Sequence, residues 1–486
     1  MQMTKLALKE SGMETQKSSK SSAKLITYLA LVLFCLVILL LPNILRNSEY
    51  PPGEEAYYHY RFAKMLGAEK ISDNLSYSGR DNFMPLSTPY LLYILNKTFN
   101  IGLFNAGRIF LLILGLISFT FFYLILEKFE YNIKSLSSLI LIISPPFIYL
   151  YTVLTRFALP ITLLLIIIYL FIKNKKNLFI ILNILLALVD IYFALICITG
   201  FLLVSLFYKK ADTKKTLILL VLELALVPIL WNFFAPTNSV IQLRTLIFDF
   251  GATYGLSLFA ILTVFSSIFF FWKKKKEFYI PYFLLIPGLI LLIFEHWAIF
   301  LLSFIIAFIS AYAIILMIND KWESYLIKNL TIWILICGII FSGASFITHS
   351  FNLEPTQATV NSFSYLNELN NDSIILSSKD NGYLINYFGK KNFYDDFSFG
   401  VEKKDNLVND IFLSSKNLED ILTYLNNTNL DYILITTEMK RQIWNNEEKG
   451  LIFVLNILQK NPNDNFKRIY KDENIEIWRY NKGEIQ

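Results

Sequence analysis

Long apolar runs alternate with short polar loops through the first 350 residues, and this pattern predicts membrane-spanning helices. The apolar runs lie at residues 25–44, 102–126, 137–151, 158–172, 178–190, 192–207, 216–234, 255–272, 278–294, 297–318 and 329–348. A helix perpendicular to a bilayer needs about 20 residues, and several runs are shorter than that. The sequence therefore does not define the ends of these spans closely, above all for the two runs that meet at Asp190. The pattern indicates a polytopic α-helical membrane protein with about 11 spans.

The pattern changes near residue 355, where the apolar runs give way to a stretch rich in Asn, Asp, Lys and Glu. This stretch is long enough for a core of its own, so it predicts a C-terminal soluble α/β domain over 355–486. The predicted domain has helices at 357–370, 417–427 and 438–460 and strands at 373–376, 432–435, 466–470 and 475–479. The predicted layout of the rest is a basic tail at 1–24 and a membrane domain at 25–350, which includes a long loop at 45–101.

The charges of the loops predict the orientation of the chain. Loops that would be cytoplasmic, if the N-terminus is cytoplasmic, carry 20 lysines, whereas the short loops on the other face carry only Arg156 and Arg244. Because cytoplasmic loops are enriched in Lys and Arg, this asymmetry predicts a multi-pass protein of the cell membrane with an extracytoplasmic C-terminal domain. It also explains the net charge of +6 better than a nucleic-acid partner would. The loop at 45–101 and the polar residues near Arg156, Asp190 and Asp249 then share the outer face.

Composition excludes two classes of protein. Apolar residues make up 55% of the 486 and charged residues only 17%, which is too apolar for a soluble globular chain. The cysteines number three and all fall inside apolar runs, so the sequence offers no disulfide framework and no Cys-x-x-Cys metal site.

The outer loop at 45–101 contains the strongest candidate for a functional site. Its length and aromatic content favour two helices on the bilayer surface, at about 54–67 and 86–98. A helix that begins at Glu54 places Glu55 and His59 on one face, with Tyr58 and Arg61 beside them. The alternative is that Glu54 and Glu55 only complement the dipole at the N-terminus of this helix.

Three stretches resemble the GT-C-fold glycosyltransferases, multi-span enzymes that take sugars from polyprenyl-phosphate carriers. Glu54-Glu55-Ala-Tyr-Tyr-His-Tyr-Arg-Phe-Ala resembles their first outer loop, and the Tyr-Tyr-His-x-Arg part is most similar to the catalytic subunits of oligosaccharyltransferases. Residues 378–382 read Ser-Lys-Asp-Asn-Gly where that family carries Trp-Trp-Asp-Tyr-Gly, so Asp380 and Gly382 match and both tryptophans are absent. Residues 244–255 stand where the family has an outer loop with a functional glutamate, and Asp249 would take its place. The acid of the family's second outer loop is missing, since Thr155-Arg156 stands there.

The resemblance implies a membrane glycosyltransferase with its site on the outer face. Glu55 would serve as general base or metal ligand, with Glu54 as its alternative and Asp249 as a second carboxylate and metal ligand. The implied cofactor is a divalent cation, Mg or Mn. Substrate-binding roles fall to Tyr58, His59, Arg61, Arg156, Arg244 and Asp380, in which the guanidinium groups are suited to bidentate contacts with phosphate.

The implied partners are a polyprenyl-phosphate sugar donor, membrane lipid and an acceptor glycan, lipid or protein, with no nucleic acid. Because the tryptophan-containing motif of the family reads the acceptor's Asn-x-Ser/Thr sequence, its loss argues against ordinary asparagine-linked transfer. Two alternatives remain open: a non-catalytic membrane scaffold of the same fold, and a lipid or sugar transporter. The transporter is disfavoured because the polar groups are concentrated at one face and the sequence shows no internal repeat.

Overall fold

A computed structural model describes residues 2–66, 86–208, 246–273, 288–289, 292, 296–395, 408–414, 418–441, 448–460 and 465–481. Arg244 lies outside the described residues, as do the predicted span 216–234 and most of the predicted span 278–294. Helices and strands are numbered below in chain order within the described residues.

The membrane part of the described chain consists of apolar helices joined by short connections. These are α1 (Gln2–Arg46), α4 (Leu103–Ile125), α5 (Tyr131–Ile142), α6 (Pro145–Thr152), α7 (Ala158–Ile172), α8 (Lys176–Val189), α9 (Ile191–Tyr208), α10 (Leu258–Lys273), α11 (Ala298–Asn319) and α12 (Tyr325–Ser350). Within the described residues, four helices are long and apolar enough to cross a bilayer, or up to five if the bent pair α5–α6 is one span. The chain is a multi-pass membrane protein, but the predicted count of about 11 spans is not confirmed.

Two breaks in the apolar pattern have clear local causes. The run predicted at 137–151 is two helices, α5 and α6, bent by 58°. Pro145 and Pro146 occupy the first turn of α6, where a missing N–H is tolerated, but they cannot continue the hydrogen bonding of α5. At the second break, Asp190 separates α8 from α9 and its Oδ1 atom accepts a hydrogen bond of 3.3 Å from the Phe193 amide. Asp190 therefore caps α9.

The outer loop contains the two predicted helices, α2 (Glu54–Met65) and α3 (Ser87–Phe99). Gly53 precedes α2 with φ of 87°, a conformation that favours glycine, and an added Cβ there would overlap the side chain of Val153. Residues 56–63 of α2 are all buried, so the tyrosines of this helix contact protein. They do not lie among lipid headgroups, which the predicted position of α2 on the bilayer surface would have required. Of these two helices, α3 is the one that exposes large apolar side chains, among them Tyr90, Ile94 and Phe99.

The C-terminal residues form a five-stranded mixed sheet in the order β2-β1-β3-β5-β4. The strands are β1 (Ile374–Leu376), β2 (Lys391–Asn392), β3 (Tyr432–Thr436), β4 (Phe466–Lys471) and β5 (Ile475–Tyr480). β1 is parallel to β2 and β3, and β5 pairs antiparallel with β3 and β4. Four strands match the predicted ones to within a residue, whereas β2 was missed because a two-residue strand has no readable period.

Helices cover this sheet. They are α13 (Gln357–Phe363), α14 (Gly382–Tyr387), α15 (Leu418–Asn427) and α16 (Leu451–Lys460), with 3-10 turns at Ser364–Glu368, Lys379–Asn381 and Met439–Arg441 and a π-helical turn at Val408–Leu413. α14 was not predicted, and the predicted helix at 357–370 ends at Phe363 and continues as a 3-10 turn.

The membrane helices and the sheet share one continuous hydrophobic core. Ile375, Tyr432 and Ile477 of the sheet belong to the same buried cluster as the aromatic residues of α2 and the apolar residues of the spans. A second cluster, which includes Ile433 and Trp478, lies on the opposite face of the sheet beneath α15 and α16. α2 is thus placed between the membrane helices and the sheet.

Candidate functional site

Glu55 lies in the first turn of α2 and reaches a chain segment far away in sequence. Its Oε1 atom accepts a hydrogen bond of 2.8 Å from the backbone amide of Arg156, in the connection between α6 and α7. The same oxygen lies 3.4 Å from Nε2 of His59, one helical turn further along α2. The predicted i, i+4 relationship of Glu55 and His59 is therefore present, and the α6–α7 connection contacts the same carboxylate through Arg156.

These neighbours hold Glu55 in its charged form. Burial opposes ionisation, but the imidazole of His59, the guanidinium of Arg156 and the Arg156 amide together keep the pKa of Glu55 below its ordinary value of 4.5. The Glu55 side chain is nevertheless 25% exposed. An ionised, partly accessible carboxylate in this setting can accept a proton from a bound hydroxyl group.

His59 is completely buried, and neither of its ring nitrogens has a hydrogen-bond partner of normal geometry. The contact with Glu55 has an ion-pair distance but not hydrogen-bond geometry. Buried polar atoms are nearly always hydrogen-bonded in proteins, so the 3.4 Å contact with the Glu55 carboxylate is the main polar interaction that the structure gives this imidazole.

Arg156 places a guanidinium group next to Glu55, and its charge contributes to the low pKa of that carboxyl. The guanidinium carbon lies 4.8 Å from the ring centroid of Phe157. Aromatic rings continue from there: Phe157 is 6.1 Å from Trp297 and from Phe300 between ring centroids. The rings form an apolar wall beside the charged groups.

A second line of rings connects this wall to the loop that carries Asp249. Tyr149 of α6 stacks on Tyr254 at 4.3 Å, and Tyr254 stacks on Phe300 at 5.1 Å. Glu54 and Glu55 are both close enough to Tyr149 to interact electrostatically with its hydroxyl group. The helix α2, the connection between α6 and α7 and the loop that carries Asp249 therefore approach one another near Glu54 and Glu55. The aromatic stack was not predicted, and a shared functional site stays a prediction.

Asp249 is committed to other contacts. Its Oδ1 accepts a hydrogen bond of 2.8 Å from Ser342 of α12, and its Oδ2 accepts one of 2.8 Å from the Leu258 amide at the start of α10. The described residues contain no group of three or more His, Cys, Asp or Glu side chains that could hold a metal ion. In this arrangement Glu55 and Asp249 do not fit a shared divalent cation, and the metal role of the pair stays a prediction.

Tyr58 and Arg61 belong to the part of α2 that faces the sheet. The Tyr58 ring lies 5.8 Å from Tyr383 of α14, and the Arg61 guanidinium lies 4.7 Å from the ring of Phe62. Arg61 is only 6% exposed, so its charge is held among aromatic rings. The substrate-binding roles predicted for Tyr58 and Arg61 stay predictions.

The stretch at 378–382 packs against α2 through the helix that follows it. Asp380 is half-buried in the 3-10 turn Lys379–Asn381, directly before α14. Gly382 begins α14 in a position where a Cβ atom would overlap Asp395 and Asn392. From α14, Tyr387 reaches α2 and accepts a hydrogen bond of 2.7 Å from Lys64. Two of the three stretches that carry the resemblance are thus brought together by the fold.

Comparison with solved structures identifies this architecture. The archaeal oligosaccharyltransferase AglB from Archaeoglobus fulgidus, in complex with an inhibitory peptide and a dolichol-phosphate, superposes with a TM-score of 0.52 over 86% of this chain and 70% of its own, at 12% identity. The chain has the GT-C fold. No protein-family model and no curated protein matches the sequence.

Two further GT-C proteins are similar over more of this chain. ArnT from Cupriavidus metallidurans, bound to undecaprenyl phosphate, gives a TM-score of 0.50 at 11% identity over 94% of this chain and 97% of its own. The arabinofuranosyltransferase AftD from Mycobacteria gives 0.55 at 12% identity over 93% of this chain and 40% of its own. Another structure of the Archaeoglobus enzyme is a complex with Zn and sulfate. At these identities the likeness concerns the fold, and the function is argued from the site.

Proposed function

We propose that this GT-C protein is a membrane glycosyltransferase that moves a sugar from a polyprenyl-phosphate-linked donor to an acceptor at the outer face of the membrane. The observation that carries this proposal is the environment of Glu55. An ionised carboxylate on a side chain that is 25% exposed stands beside a buried imidazole and a guanidinium group, where three connections between helices approach one another.

Glu55 is the proposed general base. It accepts the proton of the acceptor hydroxyl as that oxygen bonds to the anomeric carbon of the sugar. The bond between the anomeric carbon and the phosphate oxygen breaks, and the polyprenyl phosphate leaves with the electron pair. Glu54 is the alternative base, since it lies in the same helical turn and interacts with the same tyrosine.

The departing phosphate needs compensating positive charge, and Arg156 is the proposed source. Its guanidinium group can donate two parallel hydrogen bonds to phosphate oxygens. His59 can donate to the same phosphate or to a sugar hydroxyl, which would satisfy its unpaired nitrogen. Arg61, Arg244, Tyr58 and Asp380 remain proposed substrate contacts, and Asp249 is better explained as a helix cap in the described arrangement.

The combination of charged side chains and aromatic rings at the site supports a polyprenyl-phosphate donor. Charged groups lie next to an aromatic wall that belongs to membrane helices, which suits a molecule with an ionic head and an apolar chain. Related folds have been solved with dolichol-phosphate and with undecaprenyl phosphate. A divalent cation, Mg or Mn, would supply further positive charge. The described donor set does not fit one by itself, so the roles above belong to the chain's own side chains.

The test is transfer by the purified full-length protein in lipid nanodiscs. A panel of radiolabelled undecaprenyl-phosphate monosaccharides is supplied together with a membrane extract that provides acceptor hydroxyl groups, and release of label from the lipid is measured for the natural protein and for Glu55→Gln. Enzymatic release that Glu55→Gln reduces by about 10² or more supports the proposal. Binding of undecaprenyl phosphate without release of any sugar would favour a non-catalytic scaffold instead.

A further inference from the structure

We propose that Arg46, at the end of α1, is the positioning residue that fixes Glu55 in its reactive place. This inference rests on the proposed function, because it assigns a role to a residue that acts through Glu55. Arg46 was not among the predicted site residues, and nothing in the linear sequence distinguishes it from an arginine at the end of a membrane span.

All three guanidinium nitrogens of Arg46 donate to backbone carbonyl groups. Nε donates to Tyr50 at 3.2 Å, Nη1 donates to Leu353 at 2.7 Å, and Nη2 donates to Pro355. Tyr50 belongs to the turn that leads into α2, whereas Leu353 and Pro355 lie in the connection between α12 and α13. One planar side chain therefore joins two segments that are about 300 residues apart in sequence.

The same two segments are joined again at the start of α2. The Gly53 amide, immediately before Glu54, donates a hydrogen bond of 3.0 Å to the Glu354 carbonyl. Glu354 lies between the two carbonyls that Arg46 holds. Because the Arg46 contacts fix the position of the Glu354 carbonyl, they also fix the position and orientation of the first turn of α2.

The start of α2 is in turn placed against the segment that pairs with Glu55. A side chain at Gly53 would overlap Val153, three residues before Arg156. Arg46, Val153 and Leu353 line one crevice together with the end of α6. The Glu55 carboxylate thus meets the Arg156 amide only if both segments keep the register that Arg46 defines.

Lysine cannot reproduce this arrangement, since one ammonium group cannot reach three carbonyls that match a planar fork. Displacing reacting groups by about 1 Å can cost about 10² in rate, so loss of Arg46 should reduce transfer without removing the binding groups. The expected signature is a rate that falls while donor affinity is kept.

The experiment compares Arg46→Gln and Arg46→Lys with Gln357→Leu as the matched control. Gln357 also joins the two segments, because its side-chain oxygen accepts hydrogen bonds from Ser48 and from the Glu49 amide, whereas the hydrogen bonds to the Tyr50 carbonyl from Arg46 and to the Glu354 carbonyl from Gly53 do not involve it. Release of label at saturating donor should fall about tenfold or more in Arg46→Gln, partly recover in Arg46→Lys and stay within about twofold in Gln357→Leu. Binding of undecaprenyl phosphate should change by less than about twofold in all three.

A second measurement does not depend on activity. Hydrogen exchange of the peptide that spans residues 50–66 should be faster in Arg46→Gln than in the natural protein and unchanged in Gln357→Leu. Unchanged exchange in Arg46→Gln, or a natural rate per folded molecule, overturns the inference. If the natural protein transfers no sugar, the proposed function fails and hydrogen exchange alone decides whether Arg46 positions α2.

Discussion

The Glu55 carboxylate and the Arg156 backbone amide are joined by a 2.8 Å hydrogen bond, although 101 residues separate them in sequence. The bond links the first turn of the outer-loop helix α2 to the connection between α6 and α7. It holds the best candidate for the catalytic base at a fixed point between membrane helices and the aromatic wall. The predictions below follow from this relationship and from the contacts around it.

The substitution Glu55→Gln tests whether sugar release requires the negative charge of Glu55. Glu55→Gln keeps the length of the side chain and an oxygen that can accept the Arg156 amide, but it removes the basic carboxylate. We expect the rate of sugar release to fall by about 10²–10⁴ while the amount of folded protein is unchanged. Glu54→Gln is the matched control, and a larger loss in that variant would transfer the role of base to Glu54.

The pH dependence of transfer should reflect the low pKa of Glu55. Because this carboxyl has a lower pKa in the folded protein, it stays ionised down to pH values below 4.5, and the acidic limb of the rate profile should lie below that pH. Its contribution to stability has the same sign: it is present above the pKa of the unfolded chain and is lost as the pH falls through the folded-state pKa.

The imidazole of His59 helps to keep that pKa low, so its removal should move the acidic limb upward. His59→Phe fills the buried space without a polar group, whereas His59→Gln retains an amide that can donate to Glu55. We expect an upward shift of the limb in His59→Phe and a smaller one in His59→Gln, measured as rate against pH. Identical profiles in the natural protein and in His59→Phe would show that His59 does not influence the base.

Arg156 should contribute to donor binding through its side chain and to the site geometry through its backbone. Arg156→Ala removes the guanidinium and keeps the amide that Glu55 accepts from. Its affinity for undecaprenyl phosphate should fall by about tenfold, or ~1.4 kcal/mol, with partial recovery in Arg156→Lys. Native mass spectrometry of the protein in detergent measures this binding directly, and equal affinities would place the phosphate elsewhere.

Asp249 should behave as a structural residue. Asp249→Ala removes hydrogen bonds from Ser342 and from the Leu258 amide, so the free energy of unfolding should fall by about 1 kcal/mol. Asp249→Asn keeps the Oδ1 acceptor and should lose less. If both variants instead retain full stability and lose sugar release, Asp249 is the second reactive carboxylate that the resemblance implies.

The exposed apolar side chains of α3 should lie in the bilayer. Tyr90 is 54% exposed and Ile94 44% exposed, on a helix that leads directly into the span α4. A fluorophore on Ile94→Cys should be quenched by lipids that carry a quencher near the headgroup, and one on Glu419→Cys should not. Both variants need a Cys337→Ala background, since Cys337 is itself exposed.

The sequence by itself determined the parts of this protein that depend on neighbours along the chain. Apolar runs located the four long helices that could cross a bilayer, the sequence placed the start of α2 at Glu54, and Asp190 located the break between α8 and α9, because a helix and its ends are set by residues within about one turn. The same short-range rule gave the pairing of Glu55 with His59 and four of the five strands.

Tertiary structure decided which of these elements meet. That Glu55 accepts from Arg156, that Asp249 is occupied by Ser342, and that Arg46 joins the two ends of the membrane part follow from the packing of distant segments. No local pattern encodes those contacts. The same packing buries α2 between spans and sheet and leaves apolar side chains of α3 exposed, although α2 carries four charged residues and α3 only one. An amphipathic pattern indicates that a helix has an apolar face that must be buried. Only the tertiary fold determines whether that face packs against protein or against the bilayer.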